Sequence, residues 1–522
     1  MTLMLTLGTA AFGAQKTLPS GKDTGSINVT NLKPGDTVTA YQFVKADYNE
    51  YGFTGYSAIN NYVKDPVAPT AQEVIDMASN AATMTVAAEK KVATGDTEVT
   101  LNGLPVGYYL VMVTSGSETV YSPMIAGIYY SKSATDNTLT NGAISADSDF
   151  EIKAQKCWAK SSTPKLEKTI VTPSSKNSKG DDIAIGDKIT FNLSATVPSY
   201  SKEYKKVTYK IYDIMSEGLD YVDGSMKCFI EKYENNRENI KVTPKVNGGI
   251  IEITFDSKFI LEHPGQKIQV EYQAKLNEKA GINFDANINK ASLEYSNNPA
   301  SGSTAKTGED KVYVYTFGID SNLFGKSTEK WNGKTKELIK VEEGEYQWVE
   351  TEKESGIFTT TTALEGATFT LTNNKTKKSY TATSDKYGYL KFTGLDAGEY
   401  TLQETDAPDG FTLNDAKHTV VITAEYNQDG TLKSYTIKID DKATSTYTAT
   451  YDKGVIKTIT STKDSQGNIS ESAILKNSKM SFLPSTGGVG TTIFAIVGVV
   501  FVVVALGLHM ILRGKSKLEQ DR

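Results

Sequence analysis

Polar and apolar residues alternate with a period of two along most of this chain, and Gly, Pro, Asn and Asp interrupt the alternation at short intervals. A two-residue period sends successive side chains to opposite faces of an extended backbone, so each run reads as a strand with one face toward a core. A helical period is sustained only in a short stretch near residues 71–88. The expected fold class is all-β: three tandem immunoglobulin-like β-sandwich domains, followed by a C-terminal transmembrane helix. A length of 522 residues is too great for one core and suits three.

The ends carry different signals. Residues 1–14 are apolar and finish in small residues, as a secretion signal does, but lack its basic start and read as a partial signal. Residues 491–512 form an apolar run long enough to span a bilayer. Arg513, Lys515 and Lys517 follow it and orient that end toward the cytoplasm. Directly before the run stands Leu483-Pro484-Ser485-Thr486-Gly487, kept extended by its proline and glycines. Small, polar stretches at 161–164 and 301–310 divide what lies between. The expected units are 20–160, 161–308, 309–480 and the terminal signal 483–522.

One internal repeat links the outer domains. The segment from Gly103 through Tyr109 and Val111 to Val113 aligns with that from Gly394 through Tyr400 and Leu402 to Glu404. Both are a turn feeding a strand, and they differ at the last position, Val113 against Glu404.

Ionisable and amide groups fall on the apolar faces of several strands. Leu166, Lys168 and Ile170 share a face, as do Val207, Tyr209, Ile211 and Asp213, and as do Asn289, Ala291, Leu293 and Tyr295. In the last domain Tyr400 and Leu402 share a face with Glu404, and Ala473 and Leu475 share one with Asn477. A hydrogen-bonded cluster or a buried ion pair accounts for any one of these residues. For Lys, Asp and Asn together in one domain, chemistry is the better account. Desolvation lowers an amine's pKa and raises an acid's, so a neutral nucleophile meets a proton donor beside an amide carbon. The acid polarises the amide carbonyl and moves protons as ammonia leaves, and the product is an intramolecular Lys–Asn isopeptide bond.

The string Tyr400-Thr401-Leu402-Gln403-Glu404-Thr405-Asp406-Ala407-Pro408-Asp409-Gly410-Phe411 resembles the E-box of Gram-positive major pilins. Residues 483–487, the apolar run and the basic tail together resemble a sortase sorting signal of the LPxTG type. The third domain resembles a B-type and the second an A-type collagen-adhesin repeat. The resemblance implies a covalently polymerised pilus shaft, with internal bonds Lys168–Asn289, promoted by Asp213, and Lys326–Asn477, promoted by Glu404. Lys340 is the alternative to Lys326, and the stretch between them and Phe369 reads as an insertion. The first domain, with Val113 in place of the acid and no inward Lys in Ile27-Asn28-Val29, is expected to lack a bond.

The resemblance also implies a pilin-type sortase that forms an acyl-enzyme at Thr486, resolved by a lysine of the next identical subunit, head to tail. In the family that lysine closes a Tyr-Pro-Lys motif. Here Ala154-Gln155 precede Lys156, which fits the position best, with Lys153 and Lys160 as alternatives. Peptidoglycan, through a housekeeping sortase, is the partner expected at the base. The alternative is a monomeric wall-anchored adhesin that binds a host or matrix ligand. A net charge of -6 gives no electrostatic reason for a nucleic-acid partner. His263, His418 and His509 have no spacing that suggests a metal, and neither a cofactor nor an enzymatic activity is expected. Cys157 and Cys228 read as buried thiols or as one bridge.

Overall fold

The computed structural model describes residues 18–462, apart from 116–117, 132–142, 145–149, 172–176, 234–235, 320–323, 326–336, 342–344, 352–357, 363, 386–389 and 441, together with the short strand Ala473–Ile474. The described chain is nearly all β. Among the described residues no helix is long and apolar enough to cross a membrane. The expected span and residues 1–14 lie outside them.

In the first domain a sheet ordered Gly52–Ala58, Thr37–Asn49, Gly107–Thr114, Met124–Ser131, Glu151–Ala154 faces a smaller one ordered Lys156–Trp158, Thr24–Thr30, Glu98–Pro105. The expected helical stretch is shorter than its period suggested. A helix spans Ala71–Ser79, and Val86–Lys91 is already a strand. Thr70 starts the helix with a capping box to Glu73, and Met77 and Ala78 pack on Phe43, Tyr108 and Leu110.

The middle domain stacks two larger sheets. One is ordered Leu166–Ile170, Lys188–Thr196, Lys267–Leu276, Lys227–Tyr233, Asn236–Ile240. The other is ordered Gly180–Asp182, Asp310–Tyr315, Asn287–Asn298, Tyr209–Met215, Ile250–Thr254, Lys245–Asn247. The inner faces alternate as the period required: Leu166, Ile170, Tyr209, Ile211, Leu293 and Tyr295 are all buried. The boundary expected at 308/309 moves. Asp310–Tyr315 pairs with Asn287–Ala291 and completes the middle sheet, because Val312 and Val314 need that core. Likewise Ser161–Ser162 still pair with Val120–Tyr121 of the first domain.

The third domain is built on a seven-stranded sheet that includes Thr368–Asn373, Gly398–Asp406 and Lys417–Tyr426. The strands Glu337–Val341, Glu345–Thr351 and Phe358–Thr362 form a sheet of their own, as expected of an insertion. Both cysteines are free and buried, so the bridge is excluded. Burial pushes their thiols up, Cys157 to about 11 and Cys228 to about 12.

Candidate functional site

Lys168, Asp213 and Asn289 meet in the middle of the middle sandwich, each at 0% exposure. Lys168 comes from one sheet. Asp213 and Asn289 come from adjacent strands of the other, where Asp213 stands opposite Ala291 and Met215 opposite Asn289. The two are therefore diagonal neighbours on one inward face. The Lys168 amine donates to Asp213 Oδ2 in a very short contact. Its backbone is held as well: the Lys168 N–H donates to Asp310 Oδ2 at 2.6 Å, and Lys179 Nζ bonds Lys168 O at 2.6 Å.

A fourth residue joins them. Tyr272, on Lys267–Leu276, is 1% exposed. Its hydroxyl accepts from Lys168 Nζ at 3.0 Å and from Asn289 Nδ2 at 2.7 Å, and donates to Asp213 Oδ1 at 2.8 Å. Sequence reasoning missed it. Ile268, Val270, Tyr272, Ala274 and Leu276 form one inward stripe, and an aromatic residue in such a stripe reads as core. The structure also corrects the expected contact between acid and amide. Asp213 touches the lysine and Tyr272, while Asn289 Oδ1 has no hydrogen-bond donor among the described residues.

Burial depresses the Lys168 amine against the pull of Asp213, and raises the Asp213 carboxyl against the pull of Lys168. Both directions favour the uncharged pair. The Phe191 and Tyr272 rings lie 5.0 and 5.2 Å from Lys168 Nζ and complete a dry wall. Burial, then the charge of Asp213, holds the Tyr272 phenol far above its usual range.

In the third domain Glu404 points into the core at 2% exposure, and Asn414 N donates to its Oε2 at 2.8 Å. Lys326 and Asn477 lie outside the described residues, as do 483–487. Phe324–Gly325 nevertheless pairs in parallel with Ala473–Ile474, Phe324 opposite Ala473. Lys340 belongs to the separate sheet of the insertion.

The internal repeat is a shared turn geometry. Tyr109 donates to Pro105 O at 2.5 Å, and Tyr400 to Asp396 O at 2.7 Å, each closing the turn four residues back. Gly103 and Gly394 take φ values of 70° and 76°, which only glycine adopts at little cost. At the position of Glu404 the first domain buries Val113, which shares one core with the fully buried Ile27 and Val29.

Lys156 is exposed on the edge strand Lys156–Trp158, which runs parallel to Thr24–Thr30 with Asn28 opposite Lys156. Lys153 pairs with Glu151 at 3.1 Å, and Lys160 is exposed beyond the strand.

Three segments of the chain match known protein families. Residues 22–161 match the T6 antigen Ig-like domain, 357–437 the SpaA prealbumin-like fold domain, and 476–517 the LPXTG cell wall anchor motif. The trypsin-resistant surface T6 protein of Streptococcus pyogenes serotype M6 is 26% identical over 549 residues, covering 95% of this chain and 96% of that protein. The solved structure of the T6 backbone pilin of serotype M6 Streptococcus pyogenes, described as modular and three-domain, superposes with a TM-score of 0.59 at 20% identity. The match covers 89% of this chain and all of that one (100%). The fold is shared with that protein. The anchor motif marks the chain as a cell wall-anchored surface protein of a Gram-positive bacterium.

Proposed function

We propose that this wall-anchored protein is the shaft subunit of a covalently polymerised pilus, joined by sortase and stiffened by its own Lys–Asn bonds. The observation that carries the reading is the amine, carboxyl and amide buried together between the opening strand, a central strand and the closing region of the middle domain. A buried charged pair costs several kcal/mol per ion in desolvation and is a poor device for stability alone. A neutral amine beside an amide carbon is a nucleophile in place. Lys168 Nζ attacks Asn289 Cγ, Asp213 moves the protons, and ammonia leaves. In the third domain the inward Glu404 supports the same chemistry. The strand pairing of Phe324–Gly325 with Ala473–Ile474 favours Lys326 over Lys340 as partner of Asn477.

Between subunits, a sortase acyl-enzyme at Thr486 is resolved by an exposed amine. Lys156 suits this role, being solvated and on a sheet edge, where Lys153 is drawn to Glu151. Identical subunits then follow head to tail, and peptidoglycan receives the last through a housekeeping sortase. The test is a denaturing gel of wall extracts. A ladder of SDS-resistant polymers is expected, and a single band would leave the chain a monomeric adhesin.

A further inference from the structure

We propose that Tyr272 is a catalytic member of the middle-domain site, relaying to Asn289 the proton that its nitrogen needs in order to leave as ammonia. The inference rests on the reading of this domain as isopeptide-forming.

The phenol oxygen touches all three partners: Lys168 Nζ at 3.0 Å, Asp213 Oδ1 at 2.8 Å and Asn289 Nδ2 at 2.7 Å. Tyr272 thus stands between the acid and the nitrogen that departs. Before attack, the planar amide nitrogen has no basic lone pair and only donates, which is the arrangement observed. Addition of Nζ to Cγ sends the carbonyl π pair to Oδ1 and leaves Nδ2 a pyramidal amine, now an acceptor. The chain of hydrogen bonds then reverses. The Asp213 proton passes to Tyr272 Oη, the Tyr272 proton passes to Nδ2, and the surplus proton on Nζ passes to Asp213 Oδ2. The pair on Oδ1 reforms the carbonyl, the Cγ–Nδ2 bond breaks, and ammonia departs. Tyr272 ends as it began, and Asp213 ends neutral again with its proton moved from Oδ1 to Oδ2. Burial and Asp213 disfavour a phenolate, so Tyr272 gives one proton as it takes another. Because Asn289 Oδ1 has no donor among the described residues, proton delivery to the leaving nitrogen is the assistance this arrangement supplies.

The side chain is otherwise held by packing. Its ring lies 5.5 Å from Phe191 and 5.9 Å from Tyr221. Tyr272→Phe therefore keeps the wall and removes only the oxygen. The test follows the full chain, newly translated in a cell-free system, by mass against time. Digestion then assigns each lost ammonia, about 17 Da for one amide condensation, to the Lys168–Asn289 peptide or elsewhere. Tyr272→Phe is expected to slow that loss by about 100-fold, the usual scale for a positioned acid–base group, while Tyr221→Phe leaves it unchanged. Wild-type speed in Tyr272→Phe overturns the relay. A wild-type chain that retains this ammonia overturns the isopeptide reading itself, and the relay with it. If Tyr272→Phe does not fold, a ring-fluorinated tyrosine at 272 preserves shape while acidifying the phenol. A changed rate and shifted pH profile are then expected, and an unchanged profile overturns the relay.

Discussion

Lys168 and Asp213 meet across the interior of the middle sandwich, one from each sheet, with neither side chain reached by solvent. Two charges at that depth are costly, whereas an uncharged amine and an uncharged acid are cheap to bury and chemically matched. What the pair does is read out by its neighbours. Replacing Asp213 by Ala is expected to leave Lys168 buried without its acid and to preserve the ammonia of Asn289. With both proposed bonds formed, the wild-type chain is lighter than its sequence by about 34 Da, two amide condensations. Asp213→Ala and Glu404→Ala each restore one ammonia. Intact mass checks this, and a wild-type mass equal to the sequence mass would end the idea.

Among the described residues, the opening strand and the repeat of the first domain hold no counterpart to these side chains. Val113 occupies the place of Glu404, and Ile27 and Val29 fill the opening strand where a lysine would be needed. It is expected to be the least stable of the three. Limited proteolysis should cut it first, and digestion of the third domain while the first survives would show that the repeat has been misread.

Force gives a sharper contrast. The proposed bonds close loops of roughly 120 and 150 residues, worth about 5 kcal/mol each by loop entropy. They also route tension through an amide rather than through ladder hydrogen bonds. Pulled from its ends, the wild-type chain should show unfolding of the first domain alone. Lys168→Ala adds an event from the middle domain, of about 400 Å at full extension of the freed loop. Three full-length events in the wild type would mean the lysines are only buried polar residues.

Polymerisation separates the three lysine alternatives. Lys156→Ala is expected to abolish the SDS-resistant ladder in cells with their sortase intact. Lys153→Ala and Lys160→Ala leave it. A ladder that survives Lys156→Ala moves the junction to one of the others.

The joint between the middle and third domains is expected to respond to pH. Asp182 Oδ1 accepts from Ala397 N at 2.6 Å and Oδ2 from the Tyr426 hydroxyl. Beside it, burial first, then the hydrogen bond and charge of Asp182, push the Asp396 carboxyl up to about 9. The folded state therefore holds a proton that the unfolded chain releases near pH 4. Stability declines as pH rises from about 4 to about 9 and levels off above. Thermal unfolding of Asp396→Asn should lack this slope, and an unchanged slope would locate it elsewhere.

The sequence by itself determined the strands and what each one faces. A period of two leaves no freedom about which side Lys168, Asp213, Asn289 or Glu404 occupies once the apolar neighbours are buried, and all four are inside. The anchor signal was equally legible, because proline, glycines, an apolar run and basic residues act through local properties. Domain edges were not. The polar linker at 301–310 looks like a boundary, but Asp310–Tyr315 returns to pair with Asn287–Ala291. Nor was the role of Tyr272. Periodicity assigns a face and stays silent about distance. Tyrosine in an apolar stripe looks like core until the stagger of two sheets brings its oxygen to an amine, an acid and an amide at once. That convergence depends on how the sheets pack, a long-range property that no local pattern encodes.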